Sequence, residues 1–169
     1  MKNKPLLRLL LILGTTFLVC KGDTYDINYS AYRYVPVFMS RSELERSVKY
    51  AGESRPIRET GKIYLYGDTI LINEPYRGIH IIDNSDPHNP QQINYIIAPG
   101  CLDMAVNGNI LYLDNAVDLV AFDMASGQVT ERISDYFPER TEAPDYSTTV
   151  YSYDRPEHYI LVRWDLVKH

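Results

Sequence analysis

Apolar and polar residues alternate through the middle of this chain with the rhythm of strands, and they do so twice. From Lys62 to Tyr66, Ile63 and Leu65 fall on one side of a period-two pattern, Tyr64 and Tyr66 on the other. Gly67-Asp68 turns the chain into a β-branched run, Thr69–Asn73. Gly78–Asp83 (GIHIID) predicts a third strand, and Gln91–Ile97 a fourth and more polar one. The order then returns as Met104–Val106, a turn at Asn107-Gly108, Ile110–Asp114, Val117–Asp123 and Gln128–Ile133. Asn-Gly between apolar runs is a strong hairpin signal. The third strand of the second copy is largely apolar on both faces, as inner strands covered on both sides are.

The two stretches match residue for residue. Gly67 aligns with Gly108, Leu71 with Tyr112, Ile72 with Leu113 and Asn73 with Asp114, at an offset of 41. One residue is lost in the following connection, and Asp83 then aligns with Asp123 at an offset of 40. Four antiparallel strands recurring at this period are the pattern of a propeller blade, a unit that cannot cover both its faces alone. The predicted fold is all-β: two four-stranded antiparallel propeller-type blades, 61–100 and 101–134, as a partial or truncated β-propeller with one short N-terminal helix.

The flanks differ in rhythm. Tyr32 to Phe38 reads as an extended segment confined by Pro36 to an edge. Ser40 with Glu43 forms a capping box and Met39 with Leu44 a hydrophobic staple. Leu44 and Val48 form an apolar i,i+4 pair, so a helix running toward Gly52 is predicted. Residues 20–60 thus hold a tether, an edge strand and a short helix, with Glu53–Thr60 as connector. Residues 135–169 hold a polar loop and a strand from Tyr159 to Asp165. With only two repeats visible, three readings stand open: a truncated or incomplete chain, a compact two-blade sandwich closed by the helix and last strand, or a half-propeller completed by self-association.

The first nineteen residues change the picture of where this domain works. Met1–Arg8 is basic and the apolar run ending near Val19 is about 11 residues, short of the ~20 needed to span a bilayer. Residues 1–19 therefore read as a signal peptide. Phe17-Leu18-Val19-Cys20, followed at once by polar Lys21-Gly22-Asp23, resembles a bacterial lipoprotein signal, although Phe17 and Val19 replace the usual Leu and small residue. That resemblance implies lipidation at Cys20 and a membrane anchor. The expected address is the cell envelope, with the anchor in the outer membrane.

The IHIID and LVAFD strands, each preceded by a Gly/Asn-turned hairpin, resemble LVIVD repeats, and Val37–Glu45 is similar to the segment preceding those repeats in a lipoprotein branch of that group. The resemblance spans about Tyr34 to Ile133. It implies β-propeller blades in a secreted bacterial protein and is nearly silent on activity, since propellers host many functions.

Composition adds exclusions. The chain has 45% hydrophobic and 23% charged residues, with 15 Tyr against 4 Phe, which suits half-buried strands. Net charge is −5, and −8 once residues 1–19, with Lys2, Lys4, Arg8 and no acid, are removed. An acidic surface disfavours nucleic acid as a partner.

Chemistry-bearing patterns are few. His80, His88 and His158 lie far apart, and none has a zinc-ligand spacing; no metal and no cofactor is expected. His80, mid-strand, reads as part of its strand's outward face. Asp83 and Asp123 end their strands in the manner of Asx-turns. Asp83-Asn84-Ser85-Asp86 lacks the downstream Gly and Glu of a calcium loop. Cys101 reads as a small buried residue. Tyr64, Tyr66, Tyr76, Tyr95 and Tyr112 offer either a carbohydrate-binding face or packing. No phosphate loop, nucleophile elbow or catalytic residue set is visible, so no enzymatic activity is expected. The reading is a binding or scaffolding module for a protein or glycan ligand; the alternative is a fragment of an exported propeller hydrolase or lyase. The segments unmatched between repeats, Glu74–Arg77 and Asp86–Pro90, are the candidate recognition loops, with Tyr76, Arg77, Asp86 and His88 as candidate ligand contacts.

Overall fold

A computed structural model describes residues 32–168. The signal peptide expected over 1–19, the lipidation site expected at Cys20 and the tether up to residue 31 lie outside the described residues. The chain order is β1 (Tyr32–Ser40), α1 (Arg41–Glu45), β2 (Lys49–Tyr50), β3 (Ile63–Tyr66), β4 (Thr69–Glu74), β5 (Gly78–Asp83), β6 (Gln91–Ile97), β7 (Met104–Asn107), β8 (Ile110–Asn115), β9 (Asp118–Asp123), β10 (Gln128–Ile133), a 3₁₀ turn (Ser152–Asp154) and β11 (Tyr159–Lys168). The fold is all-β with antiparallel pairing throughout. Each repeat forms its own meander, β3-β4-β5-β6 and β7-β8-β9-β10. β2 adds a fifth strand to the first sheet beside β6, and β1 pairs with β11 as a separate two-stranded ribbon. No sheet closes on itself among the described residues.

The main core lies between the two meanders. Leu71, Ile79, Ile81 and Ile96 of the first sheet meet Met104, Leu111, Leu113, Val120 and Phe122 of the second, with Val48 and Cys101 at the margin. Tyr50 of β2 sets its ring edge-on to Phe122 at 5.1 Å and donates its hydroxyl to the Met124 carbonyl at 2.6 Å. The residues meeting here are not repeat equivalents. Leu71 faces this core, but its counterpart Tyr112 points out; Ile72 points away from it, but its counterpart Leu113 is buried in it. We call the side of each sheet bearing the Leu71 or Tyr112 position face A, and the side bearing Ile72 or Leu113 face B. Face A of the first sheet therefore packs on face B of the second, a head-to-tail stack.

The β1–β11 ribbon covers one end of this stack. Ile160 and Val162 pack with Leu44 of α1, Val37 and Met39 against Ala116 and Val117. The ribbon's other side holds Leu161 and Trp164 with Tyr34, Phe38, Ala143 and Val150. The register slips between Val37 and Phe38, leaving Val162 as an extra residue, and this bulge keeps Leu161 and Trp164 on one side.

The helix is shorter than its sequence pattern suggests. The Ser40–Glu43 capping box forms, but α1 ends at Glu45. Val48 is not the helical partner of Leu44: the two sit in different clusters, because Lys49–Tyr50 leaves the helix to pair with β6. A β-bridge partner outweighs a two-residue apolar stripe.

Candidate functional site

The repeats differ most where β4 passes to β5. In the second repeat the equivalent connection is a two-residue loop, Ala116-Val117, between paired Asn115 and Asp118. In the first, paired Glu74 and Gly78 are joined by three residues, Pro75-Tyr76-Arg77. Tyr76 takes a left-handed φ of 64° and is fixed to the crossover between sheets: its amide donates to the Cys101 carbonyl at 2.7 Å and its carbonyl accepts from the Gly100 amide at 2.9 Å. The Arg77 carbonyl accepts from Ala98 at 3.1 Å.

This loop forms one wall of a cleft of about 530 Å³, the others being the 53–58 connector, the end of β6 and Arg163 of β11. Four guanidinium groups line it, from Arg55, Arg58, Arg77 and Arg163, against the carboxylates of Glu53 and Glu74. Arg163 donates to both oxygens of Asp165 at 2.9 and 3.1 Å, and Arg77 reaches the same carboxylate at 3.4 Å. Hydrogen bonding to Arg163 is the main reason that the Asp165 carboxyl is held below its ordinary pKa. Arg55 lies over the Tyr95 ring at 4.9 Å, a cation–π contact. Arg58 is exposed, and no side-chain partner engages it among the described residues.

The cleft floor is a buried polar network. Glu74 Oε2 stands 3.2 Å from His80 Nε2. Gln92 Nε2 lies 2.7 Å from His80 Nδ1 and donates at 2.6 Å to the Arg55 carbonyl. The Gln92 nitrogen is thus a donor toward Nδ1, so Nδ1 accepts and Nε2 carries the proton given to Glu74. Tyr95 sets its ring edge on His80 at 4.7 Å. Burial first, and the Glu74 carboxylate second, push the Tyr95 hydroxyl pKa well up. His80 is fully buried, not on the outward face that its place in the strand pattern suggests. The 53–58 connector covers that part of face B. Both its nitrogens are engaged in holding Glu74 and the connector, and neither has a route to a ligand.

Of the four candidate contacts, Tyr76 and Arg77 line the cleft. Asp86 and His88 follow β5 while Tyr76 and Arg77 precede it, which separates the pairs by the length of a six-residue strand, about 20 Å. Asp86 accepts from the His88 amide at 3.1 Å as an exposed turn. The Asx-turns at Asp83 and Asp123 form, with Ser85 and Ala125 amides donating at 2.9 Å in each. Among the described residues no group of three or more His, Cys, Asp or Glu is placed to hold a metal, and no helix is long and apolar enough to cross a membrane. Cys101 is a free, buried thiol whose pKa burial drives up. The five tyrosines do not share a face: Tyr64, Tyr66 and Tyr112 are on A faces, Tyr95 is buried on face B of the first sheet, and Tyr76 alone is in a loop.

Arg55, Arg58 and Arg163 carry no sequence signal for a shared site. The first two sit in a connector without periodicity, and the third is one polar position of a strand 86 residues downstream of Arg77. No protein-family model, no curated protein and no solved structure matches this chain.

Proposed function

We propose that this protein is a non-catalytic binding module of the cell envelope, built from two LVIVD-type propeller blades and held to the membrane through a lipid on Cys20. The observation that carries the binding role is the cleft. Residues matched between the repeats are turn glycines, strand apolars and strand-ending aspartates, all explained by folding. The cleft is lined instead by what the first repeat and its flanks have and the second lacks.

Its charge decides the kind of ligand. Four guanidinium groups face two carboxylates in the lining and Asp165 behind Arg163 and Arg77, a surplus of one positive charge on a chain of net charge −5. The ligand is a compact molecule carrying one or two negative charges, received by Arg58 and Arg77 as planar donors. Tyr76, Pro56 and Pro99 offer apolar faces to its body. A sugar acid or a sugar phosphate has this chemistry. The test is calorimetric titration of the full chain with glucuronate, glucose 6-phosphate and neutral glucose. Binding of either acid at least ~10-fold tighter than glucose, lost in the double variant Arg58→Ala, Arg77→Ala and kept in Arg46→Ala, supports the reading. Equal response to all three sugars would sink it. For the anchor, Cys20→Ala should move the protein from the membrane to the soluble envelope fraction; unchanged fractionation removes lipidation from the proposal.

A further inference from the structure

The stack formed by the two sheets has two unlike ends, and each is the repeat equivalent of a surface already buried in the core. On face B of the first sheet, Ile63, Leu65, Ile70, Ile72 and Ile82 stand where the second sheet has Met104, Val106, Leu111, Leu113 and Phe122. The second set is packed in the core or against it. The first set is open: Ile63 is 66% and Leu65 65% exposed, with Ile70, Ile72 and Ile82 partly so. On face A of the second sheet, Tyr112, Leu119, Ala121 and Ile133 stand where the first has Leu71, Ile79, Ile81 and Ile96. All four of the latter are buried in the core; Tyr112 and Ile133 are 39% and 48% exposed.

We propose that chains associate head to tail, face A of the second sheet in one copy docking on the open half of face B of the first sheet in the next. The occupant is a second copy because the repeat equivalents of these two surfaces, face A of the first sheet and face B of the second, already pack together within the chain. Five branched apolar side chains on one sheet face exceed the scattered exposure normal for a soluble surface. Such an interface is heterologous, so it forms a ring where the rotation closes and a filament where it does not. The half of face B near His80 and Tyr95 is covered by the 53–58 connector, which confines the contact there to β3, β4 and β5. On face A, Arg140 reaches Asp114 at 3.3 Å and Phe137 lies near Leu119, which leaves the part around Tyr112, Ala121 and Ile133 for the contact.

Two exposed substitutions separate this arrangement from any symmetric one. Leu65→Lys spoils face B only, and Tyr112→Lys spoils face A only; neither side chain is in the core, so thermal melting of each should match the parent chain. Size-exclusion chromatography with light scattering of the full chain should show species larger than a dimer that grow with concentration. Each variant alone should be monomeric, and an equimolar mixture should give a dimer and nothing larger, since one intact A and one intact B remain. A parent chain monomeric at about 100 µM overturns the proposal. So does a Tyr112→Lys variant that still dimerises, which would indicate face B meeting face B. A mixture that stays monomeric overturns it as well.

Discussion

Gly78 begins β5 in the first repeat, and Asp118 begins β9 in the second at the equivalent position. Gly78 holds a φ of 155°, and a Cβ there would lie 2.0 Å from the Ile96 carbonyl oxygen and 2.8 Å from the Tyr95 ring. The Tyr95 side chain fills the space that a side chain at 78 would need, and so reaches Glu74. Gly78→Ala should therefore cost about 3 kcal/mol, read as a fall in urea midpoint, through backbone strain and displacement of Tyr95. A Gly78→Ala chain as stable as the parent would mean that Tyr95 moves freely and the cleft floor is not fixed.

Among the elements, Asp118 ties β9 and its sheet neighbour β10 to α1 and to the segment that follows β10. Its buried carboxylate accepts from Arg41 of α1 at 2.6 Å, from Arg132 of β10 at 2.5 Å and from the Asp135 backbone amide at 3.0 Å. Arg132 also reaches Asn115 at 2.9 Å. Burial pushes the Asp118 carboxyl up, but the hydrogen bonds from Arg41, Asp135 and Arg132 outweigh it and hold the pKa below its ordinary value. A carboxyl lowered in this way adds stability above its unfolded pKa of about 3.9, and loses it as the pH falls through the folded value. Asp118→Asn leaves two guanidinium groups short of their buried anion and should cost about 3 kcal/mol at neutral pH. Urea melts should show that difference shrinking below about pH 4, where the parent loses the same interaction. A difference independent of pH would assign the loss to packing instead of charge. The capping box at Ser40 orients this cluster, since it places Arg41 at the first helical position.

For the whole molecule, what could be read from the sequence divides along local and long-range lines. β5, β6 and β10 begin and end where the apolar runs and turn residues place them, and the Asn107-Gly108 hairpin forms as its dipeptide demands. These features depend on neighbours a few residues apart. The pairing of β1 with β11 joins Tyr32 to Lys168, and no period along the chain relates them. Burial of His80 follows from a connector 22 to 27 residues earlier in the chain folding over it, which strand alternation cannot register. The cleft has the same origin. Tyr76 and Arg77 stood out as an unmatched loop, while Arg55, Arg58 and Arg163 reach it from segments whose own patterns carry no mark of a site. Asp86 and His88 were equally unmatched in sequence, yet fall at the far end of the strand.

The head-to-tail packing of the two sheets also bears on how such a gene changes length. The loop between β8 and β9 is one residue shorter than that between β4 and β5, yet the parity of inward and outward positions is the same on both sides of it, because hairpin pairing re-sets the register. Recombination between copies that gains or loses one whole repeat joins an A face to a B face at every internal junction, whatever the number of copies. It leaves the first B face and the last A face unaltered. Unequal crossing-over is thus structurally silent at the junctions it creates, whereas an indel of one residue within a strand inverts the side chains that follow it as far as the next bulge or hairpin.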